Sequence, residues 1–281
     1  MHRRPAGRAA LTTLIALVLA GLGGAAVAGG EEALRPVAAI APPRLSLGLA
    51  TLLAAAPGDP ASAAGSGIDR AATEVPRLPA CRYRDQATRY GAAKDWQITL
   101  LDTNLKLPRD YEPWDLVSVS RAGIKGSGMV RRRIVEDLAA LAAAAREAGK
   151  PLAVRSAYRS YDTQVATFAS WVRRSGYAQA LKFSARPGHS EHPLGTTVDF
   201  TTAPGVPLQT SFGESPAGKW LARNGWRFGF IMPYPKGQQR VSCYGYEPWH
   251  WRYVGPEIAG RIEASGQVPR RFLWENFEAA P

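Results

Sequence analysis

Residues 190–199 read SEHPLGTTVD, and the residues after Gly195 alternate between polar and apolar side chains. Alternation over 197–201 predicts a strand that turns Asp199 and two threonines to one face and the apolar side chains to the other. Gly195 allows the preceding loop to turn, which returns His192 to the face that carries Asp199. The stretch therefore predicts a carboxylate and an imidazole side by side on one face of a sheet.

A second segment, residues 247–250, reads EPWH and supplies another histidine close to a carboxylate. Catalytic zinc sites use three protein ligands of the nitrogen and oxygen type and leave a further position for water. His192, Asp199 and His250 form such a set. Glu247 is left as the base that would take a proton from the bound water. The pattern predicts one catalytic zinc ion, Zn2+, and a hydrolase.

The N-terminal segment has the composition of a secretory signal. Three arginines precede an apolar run from Leu11 to about Ala28 that ends in small residues. Residues 1–28 are therefore predicted to be a signal peptide, with an N-terminal membrane anchor as the alternative. Both interpretations predict an exported protein, extracellular or associated with the cell wall.

A linker follows this leader, and one folded domain follows the linker. Residues 29–79 are rich in Ala, Pro, Gly and Ser, so we expect them to be disordered. All eight tryptophans lie after position 95, which places the core in one domain over 80–281. The predicted elements are a helix over 129–149, a strand over 151–157, a helix over 162–176, and strands over 197–201 and 249–254. This order predicts an α+β domain with a central antiparallel sheet flanked by helices.

The formal net charge of +12 indicates anionic partners. An exported basic protein is attracted to anionic surfaces, such as phospholipid headgroups or cell-wall polymers. We expect no nucleic acid partner, because no stretch alternates basic and aromatic residues as a strand-binding groove requires. The densest basic cluster, residues 131–133, is interpreted as a solvated face at the start of a helix. We expect a monomer.

The two cysteines, Cys81 and Cys243, are predicted to form a disulfide. A pair of cysteines in an oxidising compartment is more often bridged than free. Two buried thiols are the alternative.

Four segments carry a resemblance to a known family. They read LPRDYEPWDLV at 107–117, SAYRSYDTQ at 156–164, SEHPLGTTVD at 190–199 and EPWHWRYVG at 247–255. These segments resemble motifs of the LAS (lysostaphin, D-Ala-D-Ala, sonic hedgehog) zinc metallopeptidases, and most closely their VanY-type D-alanyl-D-alanine carboxypeptidase branch. The chain departs from the usual pattern at Thr197, where the family has alanine, and at Ala157, where it has glycine. Neither change removes a ligand.

The resemblance implies a hedgehog/D,D-peptidase-like fold and hydrolysis of the terminal D-alanine from peptidoglycan stem peptides. It also implies that His192, Asp199 and His250 ligate zinc and that Glu247 activates the zinc-bound water. Two alternatives remain open. One is a peptidoglycan endopeptidase of the L-Ala-D-Glu type with the same site, and the other is a non-catalytic zinc-bearing binding module.

The resemblance further implies roles for the residues around the metal. Arg159 would stabilise the oxyanion, while Ser160, Gln164 and Ser190 would contact the substrate. The motif skips His189, which we interpret as a pocket or surface residue. Recognition of a free carboxylate would need a cation in the cleft, and the sequence leaves Arg155, Arg159 and Arg186 as candidates.

Overall fold

The computed structural model describes residues 76–280. The predicted signal peptide, and the predicted linker as far as residue 75, lie outside the described residues. Within the described part, no helix combines the length and the apolar character that crossing a membrane requires.

Nine strands and seven α-helices occur along the described residues. The strands are β1 (Gln86–Ala87), β2 (Leu105–Lys106), β3 (Leu116–Ser118), β4 (Lys125–Gly126), β5 (Met129–Arg131), β6 (Ala153–Ser156), β7 (Thr197–Thr201), β8 (Phe230–Ile231) and β9 (His250–Tyr253). The helices are α1 (Val135–Glu147), α2 (Tyr161–Ser175), α3 (Tyr177–Phe183), α4 (Pro216–Asn224), α5 (Gln239–Ser242), α6 (Pro256–Ser265) and α7 (Pro269–Leu273). The mixed content confirms the predicted α+β class.

The central sheet has the strand order β4-β6-β7-β9-β8. Strands β6, β7, β9 and β8 pair antiparallel, as predicted, but the edge strand β4 is parallel to β6. Parallel neighbours need a crossover connection, and here β5 and α1 provide it. In the centre of the sheet, Asp199 on β7 lies opposite both Ser156 on β6 and His250 on β9.

Helix α1 covers the sheet with one apolar stripe. Leu138, Leu141 and Ala145 follow helical spacing and are fully buried. They belong to one core cluster with Val198 and Phe200 of β7. The same strand thus turns two apolar side chains to the core and Asp199 away from it, which is the alternation predicted from the sequence.

The interpretation of residues 131–133 as a solvated face is wrong for Arg131. Residues 129–131 form β5 rather than the start of the predicted helix, so their side chains alternate, and Arg131 points inward. Its side chain is 1% exposed, and its Nε donates to Asp115 Oδ1 at 2.7 Å. Its backbone amide donates to the carbonyl of Gly195 at 2.8 Å. The buried pair therefore anchors the turn between His192 and β7.

Gly195 has no substitute at this turn. Its φ is +70°, a conformation that favours glycine, and an added Cβ would lie 2.9 Å from Cγ of Arg131. The loop that presents His192 is therefore held by a backbone conformation and by close packing together.

Cys81 and Cys243 form a disulfide, which confirms the predicted pair. The bridge joins the first described segment to the residue that follows α5. A buried ion pair holds the same two segments, since Arg270 contacts Asp102 and donates to the carbonyls of Val241 and Pro79. The segment between α5 and β9, which carries Glu247, is thus attached to the N-terminal segment by both bonds.

Replacing both Cys81 and Cys243 by serine should lower the free energy of unfolding by about 2–5 kcal/mol, because the bridge closes a long loop in the unfolded chain. Urea unfolding with and without reductant measures the effect. Reduced wild type and the double variant should unfold at the same urea concentration. Equal midpoints for the oxidised wild type and the double variant would contradict the prediction.

Candidate active site

The predicted ligands lie in a cleft of about 340 Å³. It is lined by His192, Asp199 and His250, and also by Glu247 and Arg159. A second cavity, of about 400 Å³, lies against β8 and α6, and its lining contains no histidine or aspartate. The polar groups that chemistry requires converge in the first of these cavities.

Two elements bring the three ligands together. The register of β7 and β9 places Asp199 opposite His250, and the single-turn helix His192–Leu194 ends at Gly195 just before β7. One donor atom from each side chain lies within 4.8 Å of the other two. All three side chains are at most 5% exposed.

Each histidine uses one ring nitrogen for the protein and offers the other to the cleft. His192 Nδ1 lies 2.5 Å from the carbonyl of Ala157, which leaves Nε2 at 3.4 Å from Asp199 Oδ2. His250 Nε2 lies 3.0 Å from Glu191 Oε2, which leaves Nδ1 at 3.3 Å from Asp199 Oδ1. Metal-binding histidines are oriented in this way by an acceptor on the far nitrogen.

The site fits a divalent metal ion. Asp199 Oδ1 is buried and accepts no hydrogen bond from the described residues, although it faces ring nitrogens. A buried carboxylate oxygen without a partner is costly, and a cation would satisfy it. Two imidazole nitrogens and one carboxylate form a ligand set that zinc prefers.

The two histidines have opposite protonation tendencies. Burial lowers the pKa of His192 to about 3, so its ring is neutral. Burial also disfavours the charged form of His250, but its contacts with the carboxylates of Asp199 and Glu191 outweigh this effect and raise the pKa of His250 to about 10. His250 therefore carries a proton in the metal-free protein at neutral pH, and a metal ion would take the place of that proton.

Glu247 lies beside the three ligands without joining them. Its Oε2 is 3.8 Å from His250 Nδ1, and 31% of its side chain is exposed. Burial raises the pKa of its carboxyl to about 7, against the lowering effect of the charge on His250. A carboxyl group with this pKa can both accept and return a proton near neutral pH.

Of the three candidate arginines, only Arg159 lines the cleft. Arg155 is exposed outside it, and Arg186 is engaged by Asp85. Burial lowers the pKa of Arg159, while the charges of Asp199 and Glu247 raise it. Its Nε has no hydrogen-bond partner among the described residues, so the guanidinium retains a free donor.

The three predicted substrate contacts occupy different surroundings. Ser190 lines the cleft. Ser160 caps α2, where its Oγ accepts from the amide of Thr163. Gln164 is fully buried, and its Nε2 donates to Ser184 Oγ and to the carbonyl of Ala185. The amide of Gln164 thus holds a segment that itself lines the cleft.

The interpretation of His189 as a pocket or surface residue is wrong. Its side chain is 2% exposed, with Nδ1 at 2.8 Å from the carbonyl of Asp102 and Nε2 at 3.0 Å from Asp85 Oδ1. The carbonyl of His189 accepts a hydrogen bond from the hydroxyl of Tyr244, which lines the cleft. His189 therefore supports the loop that carries Ser190.

Sequence reasoning missed Glu191. Its carboxylate is buried between His250 Nε2, at 3.0 Å, and Arg252 Nη1, at 2.9 Å. Burial raises the pKa of Glu191, but the charges of Arg252 and His250 outweigh this and lower it, so the group is ionised. Its place beside His192 was a signal, but only the pairing of β7 with β9 brings His250 and Arg252 to it.

Sequence reasoning also missed two tyrosines. The ring of Tyr234 lies 4.8 Å from that of His250, and Tyr244 contacts Tyr234 at 5.0 Å. Both rings line the cleft beside Glu247. They are apolar neighbours of the base in the same cleft.

The chain is similar to known D-alanyl-D-alanine carboxypeptidases. The family model described as VanY, D-alanyl-D-alanine carboxypeptidase, matches residues 127–256. A D-alanyl-D-alanine carboxypeptidase of Enterococcus faecalis is 31% identical over 223 residues, which are 76% of this chain and 77% of the relative. YodJ of Bacillus subtilis is 36% identical over 171 residues, or 59% of this chain. The chain spans less than two thirds of the length of YodJ, at 63%.

Two solved structures are similar to the chain. The LdcB LD-carboxypeptidase is 33% identical with a TM-score of 0.58, over 63% of this chain and 85% of that chain. A variant of the VanY D,D-pentapeptidase from a VanB-type resistance cassette, in complex with Zn(II), is 30% identical with a TM-score of 0.54. The match covers 63% of this chain and 99% of that one.

Replacing Glu191 by glutamine should weaken divalent metal binding by about 10- to 100-fold, because the carboxylate that orients His250 is lost. Competition against a chromophoric chelator measures the dissociation constant. Glu147→Gln on the exposed end of α1 is the matched control. Unchanged affinity in a folded Glu191→Gln protein would contradict the orienting role.

Metal binding at pH 8 should release about one proton, since His250 must give up its proton to offer Nδ1. Glu247 is already largely ionised at that pH. Because the pKa of His250 is raised, acid competes with the metal, and the affinity should fall about tenfold from pH 8 to pH 7. Calorimetry in buffers of different ionisation enthalpy counts the proton. A count near zero would refute this protonation state.

Proposed function

This chain belongs to the VanY family of D-alanyl-D-alanine carboxypeptidases, and we propose that it is a zinc-dependent D,D-carboxypeptidase acting on peptidoglycan stem peptides. The observation that carries the proposal is the buried His192, Asp199 and His250 triad with a non-ligating Glu247 beside it. A hydrolase needs this combination, whereas a binding module does not need the base.

His192 Nε2, His250 Nδ1 and a carboxylate oxygen of Asp199 would hold the zinc ion. Bound there, zinc would lower the pKa of a coordinated water towards ~7 and polarise the peptide carbonyl. The presence of Zn(II) in the similar VanY structure supports this choice of metal.

Glu247 acts as the proton carrier. Burial raises the pKa of its carboxyl, so it can accept a proton from the attacking water and return it to the amine of the leaving D-alanine. Tyr234 and Tyr244 limit the access of bulk water to this carboxylate.

Arg159 supplies positive charge to the same space. Its guanidinium interacts electrostatically with Asp199 and Glu247 and retains a donor without a partner. Such a donor stabilises negative charge that develops on the carbonyl oxygen during attack. Ser190, which lines the cleft, is placed to contact the peptide.

L,D-carboxypeptidase activity on a tetrapeptide is the second candidate. The LdcB structure, at 33% identity, is that of an LD-carboxypeptidase and has the same fold. The two activities share the ligands, the base and the free terminal carboxylate of the substrate. They differ in the configuration of the residue before the scissile bond.

We also propose that the protein is exported and acts in the cell wall. The arginine-rich start and the apolar run of residues 1–28 support export. The surplus of basic residues favours residence on anionic wall polymers. An internal wall endopeptidase would share these properties, so substrate cleavage has to separate the two.

The purified protein should release D-alanine from L-Ala-γ-D-Glu-L-Lys-D-Ala-D-Ala in the presence of zinc. Excess chelator should abolish the release, and Glu247→Gln should lower kcat by about 10²–10⁴-fold, because the proton carrier is lost. Glu257→Gln, on the exposed first turn of α6, is the control variant.

The tetrapeptide that lacks the last D-alanine tests the second candidate in the same assay. Faster release from the tetrapeptide would assign L,D-carboxypeptidase activity. Cleavage within the stem without release of D-alanine would assign the endopeptidase activity. Zinc-loaded protein that cleaves none of these peptides would overturn the proposal.

A further inference from the structure

The cleft opens at the hairpin formed by α2 and α3. Most of its lining is buried or half-buried, but the side chains of Lys182 and Phe183, in the last turn of α3, are exposed. The metal ligands form the opposite, buried part of the lining. Lys182 and Phe183 therefore lie at one part of the rim of the cleft, and the exposed Gly245 lies at another.

Lys182 brings a free positive charge to this rim. Within the described residues, no carboxylate lies within ion-pair distance of its ammonium. The hairpin contains a single acidic residue, Asp162, which pairs with Arg109 at 3.1 Å. The ammonium is thus available to an anionic group of a ligand.

Two aromatic residues of the same hairpin also line the cleft. The rings of Trp171 and Phe183, both of which line the cleft, stack with centroids 5.4 Å apart. Arg174 covers Trp171 at 4.4 Å from the ring centroid. These rings give the rim an apolar surface.

The direction of the peptide decides which carboxylate reaches Lys182. In a metal-dependent carboxypeptidase the scissile bond lies at the metal, and the leaving residue is the last residue of the substrate peptide. Arg159 already provides a cation close to the ligands. The rest of the peptide extends towards the rim, where a residue three positions upstream lies ~10 Å away from the scissile bond.

We propose that Lys182 binds a carboxylate carried by an internal residue of the peptide, about three residues before the scissile bond. The inference rests on the proposed function and adds a specificity-determining residue to it. The cleft would then read two features of one substrate, the scissile terminus at the metal and an internal negative charge at the rim.

A double-mutant cycle on binding tests this pairing. Zinc-loaded Glu247→Gln protein, which should not turn over substrate, is titrated with L-Ala-γ-D-Glu-L-Lys-D-Ala-D-Ala. Two versions of this peptide are compared. One carries the free carboxylate of the glutamate residue, and in the other this carboxylate is amidated. The same titrations are repeated after adding Lys182→Gln, Lys182→Arg or, as a matched control, the exposed Lys94→Gln.

Amidation should weaken binding about two- to fivefold when Lys182 is present, as expected for an ion pair at a solvent-exposed rim. With Lys182→Gln, both peptides should bind equally and as weakly as the amidated one. Lys182→Arg should retain most of the difference, and Lys94→Gln all of it. A third peptide, amidated at the terminal carboxylate, should weaken binding equally with and without Lys182.

Equal effects of glutamate amidation with and without Lys182 would overturn the inference, as would coupling of Lys182 to the terminal carboxylate. The D-alanine assay on protein with intact Glu247 separates the two proposals. Release of D-alanine without coupling between Lys182 and the glutamate carboxylate would support the enzyme proposal and contradict the rim site. Coupling without release of D-alanine would support the rim site and contradict the enzyme proposal. Failure of every peptide to bind would contradict both.

Discussion

The pairing of β7 with β9 is the constraint on which the site depends. It places Asp199 directly opposite His250. It also brings Arg252, two residues further along β9, to the buried carboxylate of Glu191, which His250 contacts as well. The cost of burying these charges is offset only because each one has a partner. A shift of the register by one residue would turn His250 to the core and leave Glu191 without its partners. The ligand set and the sheet are therefore one structure.

The protonation of the groups in the cleft depends on how deeply each group is buried and on its neighbours. At the buried end the same low-dielectric surroundings produce a neutral His192, a protonated His250 in the metal-free protein and a Glu247 carboxyl with a pKa of about 7. The two histidines differ in pKa because their neighbours differ. At the exposed end, the ammonium of Lys182 is solvated and has no ion-pair partner among the described residues. Its charge is therefore available to a ligand. A substrate would thus meet chemistry at one end and recognition at the other.

Supporting contacts extend well beyond the ligands. The buried Asp102 accepts from Arg270 and, through its carbonyl, orients His189 next to Ser190. Arg270 in turn holds the segments joined by the disulfide. Family membership explains the ligand motifs, while these contacts show how the loops between the motifs are held.

The sequence by itself predicted the α+β class, the main helices and strands, the disulfide and the set His192, Asp199, His250 and Glu247, because spacing and residue type are local properties. It did not predict the buried state of Arg131 or His189, since a basic cluster and a spare histidine look like surface residues until a distant carboxylate is brought to them. It also gave no sign of the parallel edge strand. Tertiary structure alone decided which of the candidate arginines faces the cleft, what Glu191 bridges and where Lys182 lies, because each depends on contacts between segments far apart in the chain.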